Sequence, residues 1–172
     1  MKQKKQISYF WLYNLLPKKI VSLLELIRFE KPTGFLLLMW PCWFALAIFS
    51  ITDLKWYLFF FLGSFFMRGV GCIINDYIDR SIDKKVKRTS ERPISKGDVN
   101  LIEVLILMMI LLVFSLMILL NFNSFAIIIS FISLPLVVIY PLMKRVTYWP
   151  QLVLGITFNW GVLIATAQFK GI

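Results

Sequence analysis

Five long apolar runs dominate the sequence, at 34–51, 56–75, 101–120, 124–143 and 148–167. Each is close to the ~20 residues that carry an α-helix across a bilayer. A chain of 172 residues, 59% of them hydrophobic, has too little polar surface to cover that many runs in water. In lipid, every backbone N–H and C=O must be satisfied within its own segment, which excludes an open sheet. The expected fold class is all-α: one polytopic membrane helix bundle over residues 1–172, with about five transmembrane helices. Residues 18–30, KKIVSLLELIRFE, place Ile20, Leu23, Leu24 and Ile27 at helical spacing and are expected to form an N-terminal interfacial amphipathic helix. Residues 1–17, basic and aromatic, are expected to be an arm at the membrane surface.

The net charge of +10 raises nucleic acid as a partner, but the distribution argues against it. Lys2, Lys4, Lys5, Lys18, Lys19, Arg28 and Lys31 precede the first run, and Arg80, Lys84, Lys85, Lys87, Arg88, Arg92 and Lys96 fill 80–96. Lys144 and Arg145 sit at the fourth-to-fifth connection, while the alternate loops hold only Lys55. The positive-inside rule then gives a cytoplasmic N-terminus, a cytoplasmic 76–100 loop and a C-terminus on the opposite side. No nucleic-acid partner is expected; the lipid bilayer is. Cys42 and Cys72 lie inside apolar runs and offer small apolar packing in place of a disulfide framework. The chain has no histidine, which excludes imidazole acid–base chemistry and imidazole metal ligands.

Chemistry concentrates where the second run meets the basic loop, in RGVGCIINDYIDRSIDKKVKRTSER at 68–92. Successive helical residues turn by roughly 100°, so Arg68, Cys72, Asn75, Asp76, Asp79 and Asp83 share an arc of roughly 100°. Carboxylates so close repel, and at a bilayer edge they are partly desolvated. An Asp-rich helix end can be an ordinary solvated terminus. Four oxygen side chains on one face directly after a span point instead to a hard divalent cation, and Mg²⁺ is commonly held by one or two carboxylates plus substrate phosphates. An arginine at 68, inside the span, is a functional candidate or a structural ion pair. At the end of the fourth run, Tyr140 and Lys144 are four apart and share a helical face if Pro141 does not break it. The positive-inside topology puts them on the same membrane side as Asp79 and Asp83.

The pattern N-D-x-x-D-x-x-x-D at Asn75, Asp76, Asp79 and Asp83 resembles the first Asp-rich motif of the UbiA superfamily of intramembrane prenyltransferases. Two further blocks, RFEKPTGFLLLMWPCWFAL at 28–46 and YPLMKRVTYWPQLVLGITFNWG at 140–161, are similar to its 4-hydroxybenzoate branch. The resemblance implies transfer of a polyprenyl group from a polyprenyl diphosphate to 4-hydroxybenzoate, in ubiquinone biosynthesis, in a bacterial cytoplasmic (inner) membrane. It implies Mg²⁺ as cofactor, held by Asn75, Asp76, Asp79 and Asp83. It implies catalytic roles for Tyr140 and Lys144, and diphosphate contacts from Arg68, Lys144 and Arg145.

The departures from that pattern are as informative. The family has about nine spans and a second Asp-rich motif in its C-terminal half, whereas no Asp or Glu follows Glu103 here. The expectation is an N-terminal portion of the fold with compromised activity by itself. It would be a non-catalytic remnant, one half of a split enzyme completed by another polypeptide, or a homo-oligomer. A membrane CDP-alcohol phosphotransferase would need a D-G-x-x-A-R start to its motif, and none is present.

The topology is testable in a chain carrying Lys96→Cys or Asn123→Cys with Cys42 and Cys72 removed. An impermeant thiol reagent added to intact cells is expected to label position 123 and to spare position 96; labelling of 96 overturns the orientation.

Overall fold

The computed structural model describes residues 15–170, with the backbone alone described at 144 and 145. The expected arm at 1–17 lies almost wholly outside them. Seven helices follow in order: α1 (Lys18–Leu26), α2 (Thr33–Ile48), α3 (Leu54–Asp83), α4 (Pro93–Lys96), α5 (Leu101–Leu119), α6 (Ser124–Val146) and α7 (Pro150–Lys170). No strand occurs among the described residues.

Short polar side chains start the helices. Asp53 accepts from the Lys55 N–H at 2.9 Å to cap α3, and Asn123 accepts from the Ala126 N–H at 2.8 Å to cap α6. Asn100 and Glu103 form a reciprocal capping box at α5, with bonds of 2.8 and 2.9 Å. The ends of α1 and α2 are less ordinary. Each closes in a Schellman turn whose left-handed residue is not glycine: Arg28 at φ 60° and Ser50 at φ 55°. After α1 the Arg28 N–H donates to Glu25 O at 3.1 Å and the Phe29 N–H to Leu24 O at 3.0 Å.

Four helices, α3, α5, α6 and α7, are long and apolar enough to cross a membrane. The first expected span is shorter than 34–51, because the turn at Ser50 ends α2 at Ile48 after 16 residues, about 24 Å of helix against a core of about 30 Å. The second is longer than 56–75. At 30 residues, or about 45 Å, α3 overruns the core, so the first part of the expected 76–100 loop is helix projecting from the membrane. Pro41 lies inside α2, and Pro135 and Pro141 inside α6, without ending either helix. Tyr140 and Lys144 therefore stay one turn apart on α6.

Both apolar cores form around α3. Phe60 of α3 joins Cys42, Ala45 and Leu46 of α2, Ala126 of α6, and Ala165 and Ala167 of α7. Val70 and Ile73 of α3 join Leu26 of α1 and Val104 and Leu111 of α5. Both cysteines are free and buried, as packing residues should be. The Trp160 Nε1–H donates to Ile129 O at 2.9 Å, tying α7 to α6, and the Trp43 Nε1–H donates to Tyr57 O at 3.1 Å, tying α2 to α3. At the far end, the Asn123 side chain donates to Ala167 O and Gln168 O at 2.9 and 3.0 Å and so fastens the end of α7. Helices α5 and α6, though consecutive, barely touch. A cavity opens between them.

Gly161 lets α7 lie on α2. A Cβ there would overlap the Cys42 Sγ. Gly161→Ala is expected to destabilise the bundle by about 1–3 kcal/mol, the usual range for overpacking. Adding Cys42→Gly should recover most of that loss, read as the unfolding midpoint in detergent.

Candidate functional site

The cavity encloses about 420 Å³, within the range of small-molecule sites. Its walls are mostly apolar, from Leu38 of α2, Phe60 and Met67 of α3, Leu112 and Leu116 of α5, Leu134 of α6, and Phe158 and Trp160 of α7. Charge is confined to Arg28, Arg68, Asp76 and Arg92, and Asn75 and Tyr140 add neutral polar groups to the lining.

Asp76 anchors this polar end. It is 1% exposed, and a carboxylate so buried is costly unless fully paired. Arg28 supplies one pair, with Nη2 3.0 Å from Oδ1 and 2.7 Å from Oδ2. Arg92 supplies the second at 3.0 Å and reaches Asp83 Oδ2 at 2.7 Å. The Asn75 amide also donates to Asp76, at 3.3 Å. Arg28 comes from the turn after α1 and Arg92 from the polar segment after α3. That segment folds back through tight turns, with the Thr89 hydroxyl donating to Asp83 O at 3.2 Å. Two arginines from opposite sides of α3 in sequence therefore clasp one carboxylate.

Arg68 is separate. It lies about 12 Å below Asp76 along the helix axis at 1.5 Å per residue. Its guanidinium packs 5.5 Å from the Phe158 ring centroid, and its buried Nε has no hydrogen-bond partner. Gly34 makes room, since a Cβ there would come within 2.6 Å of that Nε. A cation held beside an apolar cavity with an unused donor suits an anionic group.

Of the residues singled out in the sequence, Arg68, Asn75, Asp76 and Tyr140 line the cavity, whereas Asp79 and Asp83 do not. The side chains of Lys144 and Arg145 lie outside the described residues. Among the described residues no three of His, Cys, Asp and Glu come together to hold a metal. The donors are all oxygens, and the arginines already occupy Asp76 and one oxygen of Asp83. That chemistry fits a hard cation arriving with its phosphates, for which one or two carboxylates suffice, and not a closed protein site. Sequence reasoning missed Arg28 and Arg92, which it counted among the charges that orient the chain. Arg28 opens the 28–46 block and Arg92 closes the 68–92 stretch that carries the Asp-rich pattern, and those positions were the available signal. Outside the spans, burial and the neighbouring Glu30 push the Glu25 carboxyl up.

Such a bundle defines an intramembrane protein with a cationic mouth on an apolar cavity. The family model described as the UbiA prenyltransferase family matches residues 36–172, and the chain belongs to that family. It is 43% identical over 162 residues to the mitochondrial 4-hydroxybenzoate polyprenyltransferase of Rattus norvegicus, covering 92% of this chain and 43% of that protein. Over 145 residues it is 46% identical to a 4-hydroxybenzoate octaprenyltransferase of Vibrio cholerae, covering 83% of this chain and 51% of the relative. A 4-hydroxybenzoate geranyltransferase of Lithospermum erythrorhizon is 39% identical over 175 residues, 99% of this chain and 56% of its own. The chain thus spans about half the length of the curated relatives it matches. No solved structure matches it.

Asp76→Asn would strand the largely buried Arg28 guanidinium, leave Arg92 with Asp83 alone, and is expected to cost about 3–5 kcal/mol. Arg28→Gly should cost less, because Arg92 remains and glycine accepts the left-handed turn; Arg28→Ala should be worse than Arg28→Gly by about 1 kcal/mol. Unfolding in mixed micelles measures all three.

Proposed function

We propose that the cavity takes a polyprenyl diphosphate and that the chain serves to transfer its polyprenyl group to 4-hydroxybenzoate, a step of ubiquinone biosynthesis. The observation that carries this reading is the Arg28–Asp76–Arg92 clasp at the edge of a mostly apolar cavity. A diphosphate suits the guanidinium groups and an isoprenoid tail suits the walls. The relatives' names supply the acceptor.

In this transfer the bond from the allylic carbon to the diphosphate oxygen breaks, with its electron pair going to oxygen. The ring carbon beside the phenolic hydroxyl bonds to the allylic carbon, and its displaced proton leaves to a diphosphate oxygen or water. Charge builds on the leaving diphosphate, so preorganised donors there lower the barrier. Arg28 and Arg92 present fork-shaped donors for that charge, and Asp76 holds both in place. Asn75 adds an amide donor. Arg68, too deep to share the same phosphate, is assigned to the carboxylate of 4-hydroxybenzoate. Tyr140 faces the cavity from α6, and Lys144 and Arg145, one turn on, are assigned to the diphosphate. The apolar walls keep water from the allylic cation. Asn75, Asp79 and Asp83 would hold Mg²⁺ entering with the diphosphate, and Mg²⁺ when bound supplies further positive charge to the leaving group. The setting proposed is a bacterial cytoplasmic membrane, with the clasp on its cytoplasmic side. A separate C-terminal half or a second copy of the chain is the partner this reading favours.

The test is prenylated product formed in vesicles. Because the relatives are about twice as long, the C-terminal half of a complete relative is supplied as a second polypeptide. Arg92→Gln and Arg28→Gly are each expected to lower kcat by about 10²–10³, the loss usual for one charge-stabilising donor. Lys87→Gln should leave kcat unchanged, and chelation of divalent cations should abolish turnover. Wild-type turnover by both arginine variants overturns the reading.

A further inference from the structure

A second hollow of about 510 Å³ lies on a different side of α3, between its last turns and the start of α5. Arg80, Lys84 and Lys85 line it over an apolar floor that includes Val99, Leu101 and Val104. Tyr77, Arg80 and Lys84 follow the i, i+3, i+7 spacing of one helical stripe, turned roughly 100° from the Asp76–Asp83 row. None of the residues of the Arg28–Asp76–Arg92 clasp lines this hollow.

Its cations differ from those of the clasp. Arg28 and Arg92 are matched by carboxylates, whereas Arg80, Lys84 and Lys85 make no ion pair among the described residues. The Arg80 guanidinium rests on the Tyr77 ring, 4.9 Å from its centroid. A ring contact restrains the side chain while leaving its in-plane donors free for an anion. Three converging cations without a counter-ion repel one another, and an anion relieves that. The floor argues against a fully hydrated anion. Val99 and Val104 are buried, and Leu101 opens an apolar α5 face whose Leu105, Ile106 and Met109 are about half exposed. A ligand matching both parts has a phosphate at one end and a hydrocarbon chain at the other.

We propose that this hollow binds an anionic phospholipid, its phosphate among Arg80, Lys84 and Lys85 and its acyl chain along the α5 face from Leu101. Basic hollows between membrane helices at the interface are suited to such headgroups. The role is separate from the cavity of the clasp, and the site stands whether or not the chain turns over a prenyl substrate.

The experiment uses the full chain in zwitterionic micelles, titrated with phosphatidylglycerol and followed by native mass spectrometry and thermal shift. Phosphatidylglycerol is expected to bind and to raise the unfolding temperature. The triple variant Arg80→Gln, Lys84→Gln, Lys85→Gln should bind it at least tenfold more weakly. The single variants Lys84→Gln and Lys85→Gln, each expected to lose two- to fivefold, keep the test available should the triple variant not fold. Lys18→Gln with Lys87→Gln removes two cations that do not line the hollow and should leave binding as in wild type. Equal loss in that control would show diffuse surface charge and overturn the site. Equal binding by wild type and the groove variants also overturns it, and so does inorganic phosphate binding as tightly as phosphatidylglycerol, which would mark a soluble anion.

Discussion

The Asp76 carboxylate is the constraint on which the charged half of the molecule depends. Buried at the end of a membrane helix, it cannot stay ionised without partners. Its partners are drawn from the turn after α1 and from the segment after α3. Each is thereby fixed to α3. The interfacial helix is pinned further by Lys19, which meets Glu103 of α5 at 2.6 Å and donates to Asp98 O at 3.1 Å. One buried charge thus ties both segments to α3 beside their apolar contacts. It also settles where positive charge can stand at the rim of the cavity.

Most of the fold was legible in the sequence because apolar length is a one-dimensional signal. The runs at 101–120, 124–143 and 148–167 appear as α5, α6 and α7. The edges of the earlier elements were not, for local reasons. Serine in a left-handed turn ends α2, where a pattern reader waits for glycine. Polar residues 76–83 continue α3 although hydropathy falls there, because a helix leaving the membrane still makes its own backbone bonds. In the site, helical spacing grouped Arg68, Asn75 and Asp76 on one face, and all three line the cavity. The same spacing included Asp79 and Asp83, which the cavity does not reach. Arg28 and Arg92 escaped because their contacts with Asp76 span 48 and 16 residues, beyond any helical period.

Charge is sorted by depth. Paired arginines stand at the rim, one arginine lies on an aromatic ring further in, and α6 and α7 bring hydroxyl and indole groups but no carboxylate. Placed this way, the cavity favours an amphiphile with its anionic end toward the rim. The carboxylates that hold the arginines offset the repulsion between them and fix their donors, so little rearrangement is needed when an anion arrives.

The packing of α7 on α2 has a consequence for how the chain is made. Arg28, Asp76 and Arg92 have all been synthesised by residue 92, so the clasp can close while later helices are still being delivered to the bilayer. Helix α7, the last of the described helices, seats on the first apolar one through Gly161 and Cys42. Until it docks, the cavity has no wall on that side, and membrane lipid has free access to it. Docking of α7 therefore closes that side of the chamber to lipid, and the α2–α7 seam is the place where that exclusion is won or lost.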